Sequence, residues 1–161
     1  AGARNAMQQD LRDKTADPIA QTTTFAGLTA GTIVLTLEGE ALVEDLVPGC
    51  KVITRDTGVA VLKELRRQDA TLAPVEIKAG SLGHTRPGKT MLLGAETRLH
   101  VRDWRAKALF GTEVATVKAH RLLDGEFVRQ LAPRRLTLWE PVFDDCHILY
   151  ADGLEVASAA D

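Results

Sequence analysis

The sequence predicts an all-β fold, mainly strands with one or two short helices, and three observations predict it. From Leu28 onward the chain reads as short β-branched and aliphatic runs broken by Gly, Pro and Asp. Turn dipeptides recur at hairpin spacing, at Thr57-Gly58, Asp124-Gly125 and Asp152-Gly153. The segment "TRLHVRDW" alternates with a period of two: Thr97, Leu99 and Val101 fall on one face, Arg98, His100 and Arg102 on the other.

Each element follows from its local text. "TIVLTL" is a strand and "EGEA" the tight turn that folds it into a hairpin. Pro48-Gly49 closes a short segment, "KVITRD" is the next strand, and "VAVLKELRRQ" is read as one longer strand after the Thr57-Gly58 turn. "APVEIKAG" is a further strand, and "SLGHTRPGKTMLLG", rich in Gly and Pro, is read as a loop. Beyond the "TRLHVRDW" strand, "WRAKALFG" breaks the β pattern with a short helix, and "TVKAHRLL" is read as one helical turn or two. "VRQL", "LTLWEPVF" and "HILYADGLEVAS" are closing strands, with Asp124-Gly125 and Asp152-Gly153 as hairpin turns.

A chain of 161 residues, 45% hydrophobic, suffices for one domain with a core. Twenty basic against 22 acidic residues, a net charge of -2, leave no field suited to phosphate backbones, so nucleic acid is not expected as a partner. No apolar run of about 18 residues occurs, so no membrane partner is expected either. The two cysteines, Cys50 and Cys146, lie far apart, which argues against a disulfide framework or a Cys-rich zinc site and for a cytoplasmic compartment, with leaderless secretion the alternative. Residues 1–26 are polar and read as a leader, residues 1–6 being additions ahead of a native start at Met7, and residues 27–161 form the domain.

Four phrases carry a resemblance to a known family: "GLTAGTIVLTLEGEALVEDLVPGCKVITRDTG", "APVEIKAGSLGHTRPG", "WRAKALFGTEV" and "PVFDDCHILYADGLEVAS". In this order they resemble the Hint superfamily, shared by Hedgehog autoprocessing regions and inteins, and in particular its compact bacterial branch. The resemblance implies a twisted horseshoe of antiparallel strands. It also implies an opening Cys or Ser that attacks the preceding carbonyl, a His that protonates the departing amine, and donors for the oxyanion.

Matched on "AGT", the nucleophile position falls on Gly27, which has no side chain to attack with. Thr24 and Thr29 are the nearest hydroxyls; Thr29 stands two residues late, several ångströms away, and is read as a turn hydroxyl bonded to backbone. The family's Thr-x-x-His element has a counterpart in "TRLH", but counting back from "WRAKALFG" places Thr97, not His100, where the family has its His. In a regular strand the two face opposite ways, so His100 is read as an exposed strand residue. The family's late His corresponds to Cys146 or His147; Cys146 is read as a small buried hydrophobe and His147 as a strand residue. Where the family has Asp after "VPG", this chain has Cys50, read as structural, with only Lys51 beside it to lower its pKa.

Three functions are expected in turn. The first is a Hint-like module without self-processing, binding or supporting a protein partner. The second is an active processing domain using Thr24, Thr29 or Cys50. The third is a β domain holding a small ligand or metal with His84, His100, His120, Cys146 and His147; no close-spaced ligand pair supports a metal, and no cofactor is expected. A basic stretch with one aromatic, His84, Arg86, Lys89, Arg102, Trp104, Arg105 and Lys107, is a candidate interaction surface, although Trp104 is read as anchoring the core with the charges solvated.

Overall fold

In the computed structural model the described residues are 25–82 and 86–160. Residues 1–24 of the leader, Thr24 among them, and His84 lie outside them. Strands dominate, as the turn spacing predicts, and among the described residues no helix is long and apolar enough to cross a membrane.

β1 (Ile33–Thr36) and β2 (Gly39–Leu42) form the expected hairpin, but its turn is Leu37-Glu38, so most of "EGEA" is strand rather than turn because Gly39 already pairs with Thr36. A 3₁₀ turn at Val43–Asp45 leads to β3 (Lys51–Thr54), which pairs with β4 (Gly58–Val61) across the Thr57-Gly58 turn. The expected single strand over "VAVLKELRRQ" is instead two. Leu62, buried at the break, donates its N–H to Cys50 O, whereas Lys63 donates to Val142 O, so the chain changes sheet between these residues. β5 (Glu64–Leu72) then pairs along its length with β11 (Arg134–Phe143). β6 (Val75–Ile77) follows.

Two further segments depart from expectation. Part of the Gly- and Pro-rich loop is a strand, β7 (Met91–Leu93), because Met91 and Leu93 are buried and alternate about Leu92. Within "TVKAHRLL" the helical turn is confined to a 3₁₀ segment at Ala119–Leu122; the text before it is β9 (Ala115–Lys118), paired with β8 (Arg98–Val101). The short helix is α1 (Trp104–Phe110), capped by the Asp103 carboxylate on Arg105 N–H and ended by Gly111 at φ 76°.

Asp124-Gly125 does not close a hairpin. The Asp124 carboxylate accepts the N–H groups of Glu126, Phe127 and Val128, turning the chain into β10 (Val128–Gln130), whose partner is β6. Asp152-Gly153 does join two paired strands, β12 (Ile148–Ala151) and β13 (Leu154–Ala157). Both turn residues have positive φ, 51° and 89°, which matches the right-handed twist of the flanking strands. β14 (Ala159–Ala160) runs parallel to β11, an exception to the antiparallel pairing.

The strands make one eight-stranded sheet, in the order β2-β1-β3-β12-β13-β8-β9 with β4 on β3, and two three-stranded sheets, β10-β6-β7 and β14-β11-β5. Leu28 bridges to both Leu93 and Trp139, so the entering chain stitches the two small sheets together. The core between the sheets is aliphatic, with Leu28, Val34, Val52, Leu93, Phe143 and Leu149 among its members.

Candidate functional site

The entering segment fixes the site. Leu28 exchanges both backbone bonds with Trp139, at 2.9 and 2.8 Å, while Gly94 N–H donates to Gly27 O and Glu96 N–H to Phe25 O. This close approach needs glycine on the opposite side, since a Cβ on Gly94 would lie 2.5 Å from Phe25 O. Gly27 is buried at φ 138°, and a Cβ there would meet Leu138 Cβ at 3.0 Å and Trp139 O at 3.1 Å.

Directly opposite stands Thr97. Its hydroxyl accepts the Gly27 N–H at 2.9 Å and donates to Gly27 O at 3.1 Å, so both polar groups of Gly27 are held by one side chain. The structure thus unites Gly27 and Thr97, two positions singled out from sequence. Around them a nook of ≈ 30 Å³, room for about one water, is lined also by Arg98, Glu140 and Ser158. Burial pushes the Glu140 carboxyl up, and the Arg66 and Arg98 charges draw it part of the way back. Glu140 was not foreseen; it lies within a segment whose sequence reads only as a strand.

The other candidates are placed elsewhere or are turned to other work. Cys146 is exposed rather than buried; its thiol donates to Ser158 O at 3.2 Å and accepts from Arg98 at 3.4 Å, which keeps it at the outer edge of the nook. His147 is mostly enclosed, its Nδ1 2.9 Å from the Asp56 carboxylate and its ring edge-on to Phe143. Burial raises the Asp56 pKa, but the Ile148 N–H and His147 more than reverse this and hold it below the usual value. His100 is half-buried and faces away from Gly27, with Nδ1 3.1 Å from Thr116 Oγ1; burial lowers its pKa, and Glu155 draws it back in part. The Thr29 hydroxyl donates to Leu92 O at 2.7 Å, the backbone role expected of it. Cys50 sits in its turn, partly buried against the core. Among the described residues no three His, Cys, Asp or Glu side chains gather as a metal site.

The basic stretch is also divided. Trp104 is 66% exposed and does not anchor the core; the Arg105 guanidinium covers its ring at 4.6 Å. Lys89 is drawn to Asp152, whereas Arg102 and Arg86 meet at a residue that sequence alone did not single out, Glu155. Glu155 gave no signal because an acid in an alternating strand reads as outward-facing.

Comparison with solved structures finds the same fold. A bacterial intein-like domain from Clostridium thermocellum, in solution, superposes with a TM-score of 0.57 at 16% identity, covering 84% of this chain and 99% of that one. The crystal structure of the gp41-1 intein gives a TM-score of 0.54 at 14% identity, covering 83% and 98%. A search of curated protein sequences finds no match. A sequence profile described as the Hint domain matches residues 26–161, the whole stretch from the entering segment onward. The chain belongs to the Hint domain family.

Proposed function

We propose that this Hint domain has lost self-cleavage and serves as a binding or structural module for a protein partner. Gly27 carries the reading. It stands at the position where the family resemblance expects the attacking Cys or Ser, and it supplies no attacking atom. Its backbone, at φ 138°, is one that residues with side chains rarely adopt. The surroundings support the same conclusion. The Thr97 hydroxyl is engaged with the Gly27 peptide, the Thr29 hydroxyl with Leu92 O, and the imidazoles of His100, His120 and His147 contact Thr116, Glu96 and Asp56 respectively. A base or acid must reach the reacting peptide within hydrogen-bond distance, and the side-chain partner of the Gly27 peptide is Thr97 rather than any of these imidazoles. The exposed Trp104 beside Arg105 supports a binding role, since aromatic and Arg side chains concentrate at recognition surfaces.

The test is the intact mass of the full chain, tagged at both ends and held for days at neutral pH with and without dithiothreitol or hydroxylamine. A single full-length mass is expected. Two fragments parted between residues 26 and 27 would show that another group attacks. Gly27→Cys is also expected to stay whole, because a thiol alone lacks a proton donor for the departing amine.

A further inference from the structure

We propose that the cavity at the far end of β8 and β13 is a receptor for the oxyanion group of a small organic molecule, a phosphate monoester or a dicarboxylate. The cavity has a volume of ≈ 290 Å³ and is lined by Leu82, Arg86, Leu99, His100, Arg102 and Glu155, among others. That size is at the lower end of the ligand-pocket range, about 300–1,000 Å³.

Its charge is organised around one carboxylate. The Glu155 side chain is 1% exposed and is gripped by Arg102 through Nε at 2.9 Å and Nη2 at 2.6 Å. That pairing alone satisfies a buried carboxylate. Yet two further guanidiniums approach it, Arg55 through Nε at 3.5 Å and Arg86 through Nη1 at 3.6 Å, distances of charge contact rather than of hydrogen bonds. Three positive groups against one negative leave two positive charges in excess. The acid at the rim, Asp103, does not offset them, because its carboxylate is taken by Arg105 at 2.8 Å and by the start of α1.

Among the described residues, Glu155 is the side-chain partner of both Arg55 and Arg86; Arg86 lines the cavity and keeps most of its N–H donors for a ligand, whereas Arg55, outside the lining, contributes its charge. Guanidinium forks match the paired oxygens of carboxylate and phosphate. A low-dielectric wall of Leu82, Leu99, Val101 and Leu154 concentrates the field of this excess charge at the opening. His100, with Nδ1 on Thr116, borders the same space and adds an imidazole to its wall. Glu155 thus acts as a template that orients arginines, while the surplus charge addresses the ligand.

The test titrates the full chain with inorganic phosphate, glycerol phosphate and succinate, at an ionic strength fixed with sodium chloride, following the backbone amide and arginine side-chain NMR signals. Saturable binding of one anion per chain is expected, with shifts centred on Arg86, His100 and Arg102. Arg86→Gln, which alters a side chain 42% exposed, is expected to weaken binding by about tenfold or more. Lys107→Gln removes the same charge at a site outside the cavity and is expected to leave binding within about twofold. Tighter binding of glycerol phosphate than of succinate identifies a phosphate ester, and the reverse order a dicarboxylate. Shifts that follow ionic strength alone, or binding that Arg86→Gln and Lys107→Gln weaken equally, would overturn the proposal.

Discussion

Strand β8 has a different kind of cavity at each end. At Thr97 and Arg98 the space is ≈ 30 Å³, and its polar groups are largely spent on one another: Gly27 on Thr97, Arg98 on Ser158 and Cys146. Toward Arg102 the space is ≈ 290 Å³, and the cations around Glu155 exceed what it requires. The first end is where the family resemblance locates the chemistry; the second has no counterpart in that resemblance. The contrast teaches that the scaffold is held without a reactive side chain at Gly27. Core burial and turn conformation hold the fold, and neither depends on a nucleophile.

The contrast can be broken by mutation. The largest effect is expected at the arginine end: Glu155→Gln removes the charge that holds three guanidiniums together, and it should destabilise the fold by about 3–5 kcal/mol in urea unfolding. Acid sharpens this prediction. Burial raises the Glu155 pKa, but the Arg102 bonds and the charges of Arg102, Arg55 and Arg86 leave it below the ordinary value. Its contribution is then fully present above the unfolded pKa of about 4.3 and is lost as pH falls through the lowered folded value. The stability gap between the protein and Glu155→Gln should narrow over that window; a gap independent of pH would show that the carboxylate charge is not the source.

Smaller effects are expected at the Gly27 end. Gly27→Ala places a Cβ 3.0 Å from Leu138 Cβ in a strained backbone and should cost about 2 kcal/mol by thermal or urea unfolding. Thr97→Val keeps the shape but removes both bonds to Gly27, for a loss of about 1–2 kcal/mol and faster amide exchange at Gly27. Cys146→Ala, at an exposed edge, should change stability by no more than about 0.5 kcal/mol. A Cys146→Ala loss equal to that of Thr97→Val would mean that the nook extends to the thiol as a single bonded unit.

Much of the fold was legible because its signals are local. The Asp152-Gly153 turn and the face alternation of Thr97, Leu99 and Val101 each depend on neighbouring residues and are found as read; the β1–β2 hairpin is found too, with its turn at Leu37-Glu38 instead of "EGEA". β7 was missed because burial, a long-range effect, prevails over weak local pattern there, and β9, which buries no residue, because its pairing with β8 is not written in its own text. Gly27 was legible by its place in the sequence and Thr97 by its spacing. Glu155 was not, since its partners Arg55, Arg86 and Arg102 come from distant segments and no spacing links them. Trp104 was misread for a similar reason: an aromatic suggests the core, and here its neighbour Arg105 covers it outside.

The stitch made by the entering chain has a consequence for the order of assembly. Gly27 meets its partner Thr97 70 residues later, and Leu28 must wait for Trp139, beyond most of the remaining strands. During synthesis this corner meets Leu93, Gly94 and Thr97 first, and its closure is complete only when β11 has left the ribosome. Closing so long a loop is slow, because its entropy is lost before any contact compensates. The residues that open the domain are therefore among the last to find their place, and the two small sheets are stitched together only when they do.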